Sequence, residues 1–142
     1  NISHTEDKIK ELSKKLGLPV VYIPSGRTSE YDVRYDVGPG EFIHIIKKAE
    51  LVLSDSFHCT VFCLIGHTPF LTFYRTVPLH GKDLNSRMTD LLAMVGLPKR
   101  MVKPGKEIDY SNLFTIDFNS ADRKIKKMRE ESLAYLRNAL GE

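Results

Sequence analysis

The sequence has few cysteines, no long apolar run, no block of like charge, no internal repeat and no low-complexity tract. No stretch approaches the ~20 apolar residues that cross a bilayer, so a membrane-spanning helix is excluded within this chain. The two cysteines, Cys59 and Cys63, are too few for a disulfide framework, and no second Cys or His pair stands at ligand spacing to complete a metal site. Four residues apart in an apolar segment, they would share one helix face as small buried thiols, which fits a reducing, cytoplasmic compartment. The net charge is only +3, and the lysines and arginines are mixed with acids along helical stretches, so nothing marks a nucleic-acid surface. No signal-peptide pattern is expected at the start, where NISHTEDKIKELSKKLG reads as an amphipathic helix.

What is present is ordinary for a globular α/β protein. With 142 residues, 42% hydrophobic and 27% charged, the chain can bury roughly 68–70% of its unfolded surface without staples. Ser3 or Thr5 can cap a first helix that runs to Leu16 and stops at Gly17, with Ile9, Leu12 and Leu16 on its inner face. Short β-branched or apolar runs at residues 19–23, 51–53 and 69–74 read as strands. Between them lie helical patterns in GPGEFIHIIKKAE, where Pro39 and Glu41 suit a first turn, and in residues 56–64. A helix in SRMTDLLAMVGL, stopped by Gly96 and Pro98, and a long charged helix over residues 120–140 follow. Residues 108–118 have no clear pattern. Near-continuous apolar strands alternating with helices predict a Rossmann-like parallel sheet covered by helices on both faces, one domain spanning residues 1–142. Three strands are few for an independent sheet, and no strand precedes the first helix, as expected of a fragment whose N-terminal half is absent.

Ligands in open α/β sheets bind beyond the carboxyl ends of the strands, here residues 24–27, 54–58 and 74–76. The joint in LVLSDSFHCTVFCLIG falls on that edge. A helix starting near Asp55 or Ser56 points free N–H groups and the positive end of its dipole into the crevice. A phosphate or carboxylate there could take hydroxyl contacts from Ser54, Ser56 or Thr60, with His58 adding a titratable proton. The plainer alternative is that Asp55 or Ser56 merely caps the helix and His58 bonds a neighbouring carbonyl. A phospho-accepting role for Asp55 lacks the acidic pair that should follow the first strand, since Ile23 is followed by Pro-Ser-Gly-Arg. A Cys59-His58 nucleophile pair fails because adjacent helical residues point about 100° apart. Solvated or packed histidines are expected at His44, His67 and His80, and Arg27, Arg34, Arg75 and Arg87 are candidates for an anion clamp.

The run DVGPGEFIHIIKKAELVLSDSFHCTVFCLIGHTPFLTF resembles the C-terminal half of polysaccharide pyruvyl transferases. These typically show a Pro-x-x-Phe helix, an Ala-(Asp/Glu)-Leu-Val strand, Ser-Phe-His-Gly and a Pro-Phe strand. SRMTDLLAMVGLPKRMV is similar to the family's Arg-containing helix ending in a Gly-Leu-x-x-Arg turn. The resemblance implies a two-domain GT-B-type architecture, with this chain as most of the C-terminal domain. It also implies transfer of a pyruvyl group from phosphoenolpyruvate to two hydroxyls of a sugar, giving a cyclic ketal on a cell-surface polysaccharide precursor. In the family the Ser-Phe-His segment faces phosphoenolpyruvate, which maps onto Ser56, Phe57 and His58, with Glu41 and Arg75 as further candidates. Cys59 stands where the family usually has Gly, and is small enough to leave the helix start intact. No cofactor beyond the donor substrate is implied. The expected partners are a saccharide acceptor, lipid-linked in some settings, and the protein's own N-terminal domain, at a cytoplasmic location or the inner membrane face. A nucleotide-sugar glycosyltransferase of the same fold and a non-catalytic α/β interaction module remain the alternatives.

Overall fold

The structure, a computed structural model, describes residues 2–23, 32–33, 37–75 and 85–141. Packing divides the chain into two compact units, residues 1–49 and 50–142. In the first unit, helix α1 (Ile2–Leu16) buries Leu12 and carries Lys14 and Lys15 in its last turn, where the dipole favours cations. It ends as a Schellman turn: Gly17 takes φ +66° and the Leu18 N–H donates to the Ser13 carbonyl at 3.3 Å. Strand β1 (Val21–Tyr22) pairs in parallel with β2 (Asp32–Val33). Helix α2 (Pro39–Lys48) starts with Pro39 and Glu41 in its first turn and buries Ile46.

The second unit is an α/β arrangement with a small open parallel sheet. Strand β3 (Val52–Ser54), helix α3 (Phe57–Gly66), strand β4 (Phe70–Phe73), helix α4 (Asn85–Met94) and strand β5 (Met101–Val102) follow in order, and the sheet order is β3-β4-β5. Val52 pairs with Phe70 and Ser54 with Thr72; Thr72 pairs in turn with Met101. All four residues of β4 are buried, and since alternate residues face opposite sides, both faces of the central strand are covered. α4 is followed by Gly96 at φ +78°, where a Cβ would collide with the Lys124 side chain.

The third strand of this sheet is β5, which the sequence pattern does not show. Two residues are too short for any period to register. They follow a 3-10 turn at Pro98–Arg100. Arg100, only 8% exposed, donates to the carbonyls of Leu113 at 2.8 Å, Asn112 at 2.7 Å and Thr115 at 2.6 Å. The arginine of the Gly-Leu-x-x-Arg turn is thus a brace, ordering the stretch that has no pattern of its own. Burial holds its guanidinium below the usual arginine pKa, with Asp109 pulling the other way. Asp109 caps the 3-10 turn Tyr110–Asn112, and hydrogen bonds from Ser111 and Asn112 hold its carboxyl below the usual range.

Helix α5 (Phe118–Leu140) is capped by Asp117, whose carboxylate accepts the Ser120 N–H at 2.8 Å. Ala121 is buried, whereas Leu133, Leu136 and Leu140 of its apolar stripe are exposed. His67 closes α3 in the left-handed region, φ 53°, the place usually taken by glycine. Its ring stacks on Phe118 at 5.0 Å and its Nε2 meets Asp122 at 2.9 Å, contacts that offset the strain of a left-handed residue.

Candidate functional site

The carboxyl ends of β3 and β4 and the first turns of α3 and α4 enclose a concavity of about 110 Å³ within the second unit. Asp55, Ser56, Phe57 and His58 line one side; Arg75, Asn85 and Arg87 line the other. Phe73, Met88 and Met101 supply its apolar lining.

The joint is held by its own hydroxyls. Ser54 Oγ accepts the Ser56 N–H at 3.0 Å. Ser56 is the N-cap of α3, with extended φ/ψ, and its Oγ accepts the Cys59 N–H at 3.4 Å. The Ser56 carbonyl takes both the Thr60 N–H (3.1 Å) and the Thr60 hydroxyl (3.2 Å). The Thr60 and Thr72 hydroxyls bond each other at 2.9 Å in the buried interior, linking α3 to β4. The sequence-derived candidates therefore divide. Ser56, Phe57, His58 and Arg75 line the concavity; Ser54 and Thr60 shape the turn beneath it. Glu41 lies in the first turn of α2, in the first unit. Arg27, Arg34 and His80 lie outside the described residues.

Four N-terminal amides of a helix lack intrahelical acceptors. In α3 these are the amides of Ser56 to Cys59: Ser54 Oγ takes that of Ser56 and Ser56 Oγ that of Cys59, while those of Phe57 and His58 have no acceptor among the described residues. His58 is exposed, its ring edge-on to Phe57 at 5.9 Å and 89°. Across the concavity the Arg87 guanidinium rests 5.3 Å from the Phe57 ring centroid, a cation–π contact that orients the charge without neutralising it. Arg75 leaves the end of β4 and turns back to Asp55. Its Nε lies 3.1 Å from Asp55 Oδ2 and 3.1 Å from the Asp55 carbonyl, and its second terminal nitrogen donates to Oδ1 at 3.3 Å.

Asn85 fixes the main chain at Arg75. It accepts the Arg75 N–H at 2.8 Å and donates to the Arg75 carbonyl at 2.9 Å. The amide is only 7% exposed, so this paired bond also satisfies its own buried polar atoms. Asp55, Asn85 and Phe73 are lining residues that sequence reasoning passes over as site residues. The one available signal is position: Asn85 and Arg87 open a helix on the ligand edge of the sheet.

Beneath the joint Cys59 and Cys63 are buried and unbridged. The Cys63 thiol donates to Cys59, and with a second hydrogen bond from Ser54 this lowers the Cys59 thiol to about 7, against burial and the nearby Asp55 charge. The same bond and burial push Cys63 up. Cys59 lies on the inner face of α3 and is not part of the concavity's lining.

The site combines two helix N-termini, two guanidinium groups, an exposed imidazole and one carboxylate around a small volume. Such an arrangement has the chemistry to accept a compact anion and to offer it a proton. Among the described residues no helix is long and apolar enough to cross a membrane, and no cluster of three His, Cys, Asp or Glu side chains is placed to hold a metal ion. Compared with known proteins, residues 3–76 match a family model described as polysaccharide pyruvyl transferase. The match covers about half the chain, from α1 through β4 to just past Arg75. No curated protein and no solved structure matches it.

Proposed function

The chain belongs to the polysaccharide pyruvyl transferase family, and on that premise we propose that its concavity binds phosphoenolpyruvate and delivers the pyruvyl group to a saccharide. The observation that carries this reading is the convergence of both helix N-termini, Arg75, Arg87 and His58 on one small concavity.

Phosphoenolpyruvate brings two anionic groups. The Phe57 and His58 amides and the two arginines suit its phosphate and carboxylate, through charge-assisted bonds and the helix dipoles. His58, as an imidazolium, donates a proton to the methylene carbon, leaving C2 an oxocarbenium-like electrophile. One sugar hydroxyl adds to C2 and gives up its proton, the C2–O bond to phosphate breaks, and the second hydroxyl closes the ketal with loss of its proton. The charge on departing phosphate is stabilised by the same helix ends and arginines. On this reading the acceptor is a polysaccharide precursor, lipid-linked in some settings. Its remaining contacts, and the base, come from an N-terminal domain in a GT-B-type arrangement at the cytoplasmic side of the membrane. Ser54 and Thr60 contribute by holding the turn, and Glu41 is a further candidate site residue.

The test is a donor titration on the full-length protein and its His58→Ala variant. Phosphoenolpyruvate should raise the melting temperature of both, by an amount equivalent to about 2.7 kcal/mol at a hundredfold excess over Kd. Turnover of the variant should fall about 10²–10⁴-fold. Undiminished turnover would remove His58 from the chemistry. Thermal protection by uridine or guanosine diphosphate sugars but not by phosphoenolpyruvate would replace the reading with glycosyl transfer.

A further inference from the structure

A carboxylate in an anion site needs a reason, because it repels the ligand the site collects. Asp55 sits at the mouth of α3, with its side chain about half exposed. Both of its oxygens face Arg75, at 3.1 Å and 3.3 Å, so the two groups form the paired fork in which guanidinium binds an oxyanion. A phosphate reaching Arg75 from the concavity would need the same donors. Arg87 differs: it rests on the Phe57 ring, already oriented toward an incoming anion.

We propose that Asp55 is a gate on the phosphate site, its carboxylate standing in for the ligand on Arg75 until a phosphate draws the guanidinium away. The inference rests on reading the concavity as a phosphate site and adds a selectivity rule to it. A carboxylate offers Arg75 no more than Asp55 already does, since both present two oxygens and one negative charge. A phosphate monoester presents three oxygens and close to two charges, and displaces Asp55. The gate therefore disfavours pyruvate relative to phosphoenolpyruvate, the two molecules that differ by the phosphate. The fork is weak enough to open, because half-exposed ion pairs hold each other only about two- to fivefold over separate solvation. Arg75 does not lose its place when it lets go, since Asn85 grips its main chain on both sides.

The measurement is calorimetric binding of phosphoenolpyruvate, inorganic phosphate and pyruvate to the full-length protein. The variants are Asp55→Asn, Arg75→Gln and the double substitution. Asp55→Asn should bind both phosphates two- to tenfold more tightly and should narrow the preference over pyruvate. Placed on Arg75→Gln, the same change should shift affinity less than twofold, because the competition it relieves is gone. An Asp55→Asn variant that binds phosphate no better than wild type overturns the gate and leaves the donor-site reading standing. An equal gain in the Arg75→Gln background also overturns it, by showing plain repulsion instead of competition for Arg75. Binding of inorganic phosphate without phosphoenolpyruvate removes the donor assignment while the two phosphate affinities still decide the gate. If wild type binds neither phosphate, both fall. Asp55→Ser gives the same readout should the amide disturb the turn.

Discussion

Replacing Arg100 by methionine should destabilise the second unit strongly although the residue touches no ligand. The side chain is 8% exposed and bonds three main-chain carbonyls. Hydrogen bonds from a charged donor contribute about 1.5–3 kcal/mol each, so three bonds set an upper figure of about 4.5–9 kcal/mol. Desolvating the guanidinium on folding offsets part of that. Asn112 and Thr115 are exposed, so water can return to their carbonyls in the variant. The Leu113 carbonyl is the one left buried without a donor. About 3 kcal/mol remains, which for a chain of this length lowers the melting temperature by roughly 12 °C at about 4 °C per kcal/mol. Arg100→Lys keeps the charge but loses the planar fork, and should lose about half as much. Thermal melts followed by circular dichroism measure both. An Arg100→Met protein melting within about 3 °C of wild type would refute the idea that this arginine orders the chain before α5.

Two further predictions concern the joint. Thr60→Val removes the hydroxyl that bridges the Ser56 carbonyl and Thr72 and leaves the buried Thr72 hydroxyl without that partner, a cost of about 1–2 kcal/mol. Thr60→Val with Thr72→Val should cost less than the two single changes summed, and chemical denaturation would show additivity if the bond carried no energy. Cys63→Ala should move the ultraviolet thiolate transition of Cys59 from about 7 toward its ordinary 9.0. Because the folded Cys59 value is depressed, its stabilisation is full above pH 9 and is lost as pH falls through about 7. Cys63 is raised, so its effect is opposite and erodes stability above pH 9. Wild-type denaturation midpoints should thus rise between pH 7 and 9 and then decline, and a flat profile would contradict the thiol pairing.

Much of the second unit was legible because its signals are local. Ser56 is a favoured capping residue before an apolar run, and it does cap α3. The strand over residues 51–53 appears one residue later, at Val52–Ser54, the usual uncertainty of an element end. β5 was not legible because a two-residue strand exists only through its partner. The site divides along the same line. His58, Ser56 and Phe57 follow from a helix start on the ligand edge of a sheet, and Arg75 from its place after a strand. The Asp55–Arg75 fork spans twenty residues, the Asn85 clamp spans ten, and no periodicity announces either. Thr60 has a structural part that the sequence pattern does not announce. A threonine four residues after a helix cap can bond back to the cap carbonyl, and here that bond and Thr72 hold its hydroxyl.

The Asn85 clamp has a consequence for how this region can change. By bonding both main-chain groups of Arg75, a side-chain amide closes the path from β4 to α4 as a neighbouring strand would. The two ends, at Arg75 and Asn85, are thereby held to each other directly. Lengthening the chain between two points that are already fixed is cheap, about 0.6 kcal/mol per doubling. Insertions between Arg75 and Asn85 should then be tolerated with little loss of fold. The number of residues between these two can then change while the carboxyl end of β4 and the start of α4 keep their places.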